Sequence, residues 1–280
     1  MNYKIVADSS SNVYHMEGVD YAFVPLKIST GSHEYLDVPE TDAVAMAHTL
    51  KNSTEKSHTS CPNIYDWQNS FAGADAVFAV TITSNLSGCY TAAVNAQKLY
   101  QSTNKNTQIH IIDSLSTGPE MELLLEKLKS LIQSNLSFQE IVEQIDAYKN
   151  NTHLLFCLES LTNLSVNGRI SPAIAHLAGL FGIRLIGKAS SFGTLEPLSK
   201  PRGEKKALSV LYQHILEAGF SGGKVRIAHC DNLAFAEKLK EKILSAFPSA
   251  DITISPCGAL CAYYAELGGI LVGIEGDAKK

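Results

Sequence analysis

No Cys-x-x-Cys pair occurs among the six cysteines of this 280-residue chain, which stand apart at Cys61, Cys89, Cys157, Cys230, Cys257 and Cys261. A zinc site and a dithiol redox motif both need close ligand spacing, so neither is indicated, and buried free thiols are the expectation. Positive charge is not in surplus either: 23 Lys and Arg stand against 28 Asp and Glu, a formal net charge of -5. Nucleic-acid binding rests on Lys and Arg gathered on one surface to neutralise phosphates, and no such cluster is present. No apolar run is long enough to span a bilayer. The opening Met1 to Asn12 also lacks the basic segment, apolar stretch and small-residue cleavage site of a secretory leader. The expectation is a cytoplasmic protein without stable membrane insertion. His33, His58, His110 and His229 are dispersed and show no metal-ligand spacing, so neither a metal nor a cofactor is expected.

What is present is the balance of an ordinary globular protein, 45% hydrophobic and 18% charged, with enough chain for two modules and an enclosed apolar cavity. Lys4 to Ala7 reads as a buried strand ending in the polar run Asp8 to Asn12, and Phe23 to Ile28 as another. A helix follows over Ala43 to Lys51. Ser57 to Asn63 reads as a loop, because Pro62 disfavours helix before it and suits a helix start after it, around Ile64 to Phe71. Ala76 to Ile82 is a continuous β-branched and apolar run, suited to a strand covered on both faces, and Thr83 to Gly88 leads from it into a helix towards Tyr100. Gln108 to Ile112 is the next strand. This alternation predicts parallel βα units, whose ligands collect beyond the carboxyl ends of the strands.

Ser137 and Glu140 form a capping box before a helix to Tyr148, and His153 to Leu158 reads as a strand. The Asn167-Gly168-Arg169 turn comes next, then strands near Arg184 to Lys188 and Leu195 to Leu198. A helix through Ala207 to Ala218, a strand at Val225 to Ala228, a helix to Phe247 and a strand at Ile270 to Ile274 complete the reading. The predicted division is an N-terminal α/β domain over 1–155 and a C-terminal α/β domain over 156–280.

Two motifs fail on context. Gly219 to Gly223 matches G-x-S-x-G, yet it joins a helix to a strand, the reverse of a nucleophile elbow. Gly182 to Lys188 nearly spells a phosphate-binding loop, but Ala189 occupies the position of the magnesium-binding hydroxyl, and the intervening residues are strand-like. More informative are Thr59-Ser60 and Ser84-Asn85-Leu86-Ser87-Gly88, each just before a predicted helix. Hydroxyls at a helix start suit a carboxylate or phosphate. Ordinary N-capping by Ser and Thr is the alternative at this point.

Several islands, in order, resemble the DegV family of bacterial fatty-acid-binding proteins. Val6-Ala7-Asp8-Ser9-Ser10 resembles the family's V/T-D-S-S, Thr59-Ser60-Cys61-Pro62 its T-S-Q-P, and Leu86-Ser87-Gly88-Cys89-Tyr90 its L-S-G-T-Y. Ile112-Asp113-Ser114 resembles the later D-S, and Asn167-Gly168-Arg169-Ile170-Ser171 its G-G-R-I-S. Cys61, Cys89 and Asn167 depart from the pattern. The H-x-G-P-G segment of many members is replaced by Pro256-Cys257-Gly258 and Ala259 to Tyr264, similar to a subgroup carrying G-L-C-x-x-Y-A-E.

The resemblance implies an N-terminal Rossmann-like parallel sheet, a C-terminal α/β domain and a long-chain fatty acid between them. It implies that Thr59 and Ser87, with Gly88, hold the carboxylate by neutral donors. It further implies that the protein is a carrier with no catalytic residue of its own, presenting the acid to a fatty acid kinase catalytic subunit. Arg169, displayed by its glycine turn, is the candidate partner contact. A serine hydrolase using Ser87 and a binding or sensor module for another small amphiphile are the rival readings.

Overall fold

The computed structural model describes residues 1–171, 174 and 182–279. Strand β1 (Tyr3–Asp8) pairs in parallel with β2 (Asp20–Val24) and with β6 (Ala76–Thr81), and β6 pairs in parallel with β7 (Gln108–Asp113), giving the order β2-β1-β6-β7. Every residue of β6 is buried, as its unbroken apolar run requires of a strand covered on both faces. The predicted strand Phe23 to Ile28 is in fact two. Pro25 supplies no ladder donor, so β2 stops at Val24 and β3 (Lys27–Ser29) enters a different sheet. That small antiparallel sheet has the order β4-β3-β5, with β4 at Glu34–Leu36 and β5 at His58–Ser60. Thr59 therefore lies on an edge strand opposite Ile28, not in the loop that Pro62 suggests.

The first-half helices are α1 (Ala43–Lys51), α2 (Ile64–Phe71), α3 (Cys89–Thr103), α4 (Pro119–Gln133) and α5 (Phe138–Lys149). Helix α4, unassigned in the sequence reading, is the central one. It packs against β1 and β6 on one side and against β8 (Thr152–Leu158), β11 (Lys224–His229) and β13 (Ile270–Glu275) on the other. Gly273 permits that approach, since a Cβ there would stand 2.5 Å from the Pro119 carbonyl carbon.

The remaining elements are α6 (Thr162–Val166), β9 (Leu185–Ala189), β10 (Leu195–Ser199), α7 (Glu204–Glu217), α8 (Leu233–Ala246), β12 (Asp251–Pro256) and α9 (Ala259–Ala265). Their sheet has the order β10-β9-β8-β13-β11-β12 and is antiparallel except between β11 and β12. Position 155 falls inside β8, all of which belongs to this second sheet. Gly219 to Gly223 connects α7 to β11, and Gly187 lies within β9 as core backbone, so neither forms a nucleophile elbow or a phosphate loop.

Ion pairs fasten α4 to the second sheet. The Arg226 guanidinium donates from Nε to Glu126 at 2.6 Å and from Nη2 to Asp251 at 2.9 Å. Glu122 lies 3.9 Å from the same group, but burial dominates there and raises its carboxyl to about 7. Glu120, fully buried, accepts from Thr152 Oγ1 at 2.8 Å and from Lys279 Nζ at 2.6 Å, tying down the end of the chain.

Candidate functional site

The polar segment after β1 folds into one 3-10 turn, Ser9–Ser11, capped by Asp8. Asp8 Oδ2 also accepts from the backbone N–H of Ile82 at 2.7 Å, so it joins the carboxyl ends of β1 and β6. This is the switch point of the parallel sheet, where the chain leaves β1 and β6 in opposite directions and a crevice opens. Burial raises the Asp8 carboxyl to about 6.

Above this crevice the two hydroxyl-bearing segments converge. A Cβ on Gly88 would lie 3.2 Å from Cys61 Sγ, which brings the segment after β5 against the start of α3. Thr59, Ser60 and Cys61 from the one, and Leu86, Ser87 and Gly88 from the other, line one cavity of about 270 Å³. Its opposite wall is apolar, formed largely by Leu154, Phe156 and Leu158 of β8, Leu195 of β10 and Leu271 of β13. Alternate residues of β8 face the cavity, as the period of a strand requires.

Capping accounts for Ser87 in part, since it accepts from the first N–H of α3, and not for Thr59. Helix α2 is capped by Asn63 in a capping box with Asp66, and α3 has Gly88 at its cap with no side-chain cap bond. Ser87 Oγ donates to Cys89 Sγ at 3.2 Å and accepts from the Cys89 N–H at 3.3 Å. The Cys89 thiol is pushed well up by burial. Thr59 Oγ1 pairs at 2.7 Å with the hydroxyl of Tyr264, whose ionisation burial opposes.

Tyr264 also lines the cavity, and sequence reasoning gave it no role. The only signal was its place in the segment that replaces the family's C-terminal histidine. Its helix is firmly seated. Asp37, fully buried and raised by that burial, accepts from Tyr14 Oη at 2.8 Å and lies close to the first residues of the helix. Asn12 Oδ1 accepts from the Gly258 N–H at 2.9 Å. Next to Tyr264, the hydroxyl of Tyr263 bonds Ser57 at 2.8 Å, so two successive tyrosines clasp strand β5.

The Thr83 to Gly88 segment is also held from the second domain. Thr83 Oγ1 donates to the Gly193 carbonyl at 2.9 Å, and Asn85 Nδ2 donates to Phe192 O at 2.5 Å. Arg169 Nε donates to Leu86 O at 3.2 Å and Nη1 to Asn167 O at 2.5 Å. Arg169 is thus half-buried and lines the cavity as well as an outer groove beside Asn85 and Ser171, where the glycine turn suggests full display. The side chain is bent back onto the hydroxyl-bearing loop.

Five cysteines are buried and unpaired, whereas Cys61 is exposed at the cavity mouth, against the expectation of burial for all six. Among the described residues no histidine lines the cavity, no group of His, Cys, Asp or Glu is placed to hold a metal ion, and no helix is long and apolar enough to cross a membrane.

A parallel-sheet domain and a mixed-sheet domain thus enclose an apolar cavity with hydroxyls at its mouth, a two-domain α/β architecture. The family model described as "Uncharacterised protein, DegV family" matches residues 2–275, and the chain belongs to the DegV family. A DegV domain-containing protein of Streptococcus pneumoniae is 42% identical over 281 residues, covering 99% of this chain and 100% of its own. The structure of the S. pneumoniae fatty acid kinase B3 protein, loaded with linoleic acid, matches with a TM-score of 0.96 at 42% identity, covering 99% of this chain and 100% of that one. A DegV family protein from Eubacterium eligens, loaded with heptadecanoic acid, matches at 0.95 and 40% identity, covering 98% and 100%.

Proposed function

We propose that this protein is a cytoplasmic carrier that binds a long-chain fatty acid between its N-terminal and C-terminal α/β domains, the second of which begins with β8. It presents the carboxylate to the catalytic subunit of a fatty acid kinase, which carries the phosphoryl chemistry. The observation that carries the reading is the convergence of Thr59 and Ser87 at the mouth of an apolar cavity. Support comes from the two relatives above 30% identity whose structures hold a fatty acid. Thr59, Ser87 and the backbone around Gly88 hold the carboxylate, and Tyr264 orients Thr59.

The energetics suit a ligand that has to be passed on. Each buried methylene gains about 0.8 kcal/mol, so the tail supplies most of the affinity. Hydroxyl donors then fix the head at about 0.5–1.5 kcal/mol apiece. Ser87 parks its proton on a sulfur, a weak acceptor, from which it turns to a carboxylate oxygen at little loss. Arg169 reaches both the cavity and the outer groove, a place from which it meets a partner while steadying the Leu86 carbonyl.

Native mass spectrometry of the purified protein, followed by solvent extraction, is the test. About one fatty acid per chain is expected, and an empty protein that also takes up no oleate or palmitate on titration overturns the carrier reading. A chromogenic ester assay with Ser87→Ala as control separates the hydrolase reading, which needs a histidine base beside Ser87. Ser87→Ala and Thr59→Ala should keep most of the lipid and lose most kinase-coupled turnover, because phosphoryl transfer tolerates little misplacement of the attacking oxygen.

A further inference from the structure

The apolar wall of the cavity formed by β8 includes the ring of Phe156. Phe156, on β8, faces Gly187 of β9 directly across the strand pair. A Cβ at Gly187 would lie 2.3 Å from Phe156 Cζ and 2.6 Å from Cε2, so the ring occupies the space that any other residue at 187 would fill. The ring is 2% exposed and has no latitude on the β9 side.

Behind it is a second, wholly apolar void of about 10 Å³, bordered in part by Leu161, Leu185 and Pro197. Phe156, Leu164 and Leu195 belong to the walls of both spaces. The void is at the lower limit for a single water, and among the described residues it offers no polar partner for one. The Phe156 ring and its two neighbours stand between this space and the larger cavity.

We infer that Phe156, braced by Gly187, is the chain-length stop of the acyl cavity and so a specificity-determining residue. The inference rests on the fatty-acid reading above. With the carboxylate at Thr59 and Ser87, the tail runs towards β8, and its last carbons meet this ring. A smaller side chain joins the two spaces and admits longer or differently bent chains. A larger one, denied room over Gly187, has to grow into the cavity and shortens it.

The test is the acyl profile of holoprotein purified from one host as wild type, Phe156→Leu, Phe156→Trp and Leu161→Ala. Competition titrations against saturated acids of stepped length accompany it. Phe156→Leu should move the optimum about two carbons longer, which raises the long-to-short affinity ratio about tenfold at the usual gain per methylene. Phe156→Trp should move it shorter. Leu161→Ala enlarges only the space behind the ring and should leave the profile at wild type. Should Phe156→Leu not fold, Phe156→Met replaces it, with a smaller shift in the same direction. A loaded wild type with unchanged profiles in the Phe156 variants overturns the stop alone, as does a Leu161→Ala shift equal to that of Phe156→Leu. An empty wild type overturns the carrier reading itself.

Discussion

Tyr264→Phe removes one oxygen and leaves the ring. The hydroxyl makes a 2.7 Å bond to Thr59 Oγ1, and the ring packs edge-on against Tyr263 at 4.9 Å between centroids, a contact the substitution retains. A neutral hydrogen bond of this kind is worth about 0.5–1.5 kcal/mol, so palmitate affinity should fall about two- to tenfold. The tail, at about 0.8 kcal/mol per methylene, keeps the ligand bound. The informative measurement compares palmitate with hexadecanol, which has the same tail without the charge, by displacement titration. If Tyr264 orients Thr59 towards the carboxylate, the preference for the acid falls in Tyr264→Phe and the affinity for the alcohol holds. In the cycle with Thr59→Val, the double variant should lose little more than the worse single one, because the two hydroxyls act as one unit. An unchanged acid-to-alcohol ratio, or strictly additive losses, refutes the role of this pair.

Arg169→Ala should release the Leu86 carbonyl and slow kinase-coupled turnover while bound lipid stays near wild type, and equal kinetics would return Arg169 to an ordinary surface role. Native thiol titration should find one rapidly reacting cysteine, removed by Cys61→Ser and slowed by oleate, since the other five are buried. Glu122, raised from 4.5 to about 7, holds its proton more tightly folded than unfolded, so its contribution to stability is present below about pH 4.5 and is lost as pH rises through about 7. Glu122→Gln should therefore be neutral at pH 4 and stabilising at pH 8. The gain should be about 1–2 kcal/mol, below the upper bound of about 3 because the side chain is 24% exposed, and denaturant unfolding at the two pH values checks it.

Much of the parallel sheet was readable because a strand covered on both faces must be written as an unbroken apolar run, as Ala76 to Thr81 is. The Ser137–Glu140 capping box is local chemistry and stands in the structure as the spacing predicts. Elements that serve two neighbours at once were harder. Helix α4 buries residues from Pro119 to Leu131 while its polar stripe of Glu122 and Glu126 is spent on Arg226 of the other sheet, and α9 is buried almost throughout. The Thr59 and Ser87 segments were visible as hydroxyl-rich islands. Their convergence across 28 residues, and the bond from Tyr264 to Thr59 across 205, are tertiary facts that no local pattern encodes.

The hydroxyl cluster at the cavity mouth has an order of assembly built into it. Thr59 and Ser87 leave the ribosome before β8, and β8 before Tyr264. Until α9 docks on Asp37 and Asn12, Thr59 has no phenol beside it, and until β8 and β13 pair there is no wall for an acyl tail. A truncated or half-made chain therefore displays the hydroxyls without a cavity behind them. On the carrier reading proposed above, a lipid finds its complete site only once both halves of the chain are in place.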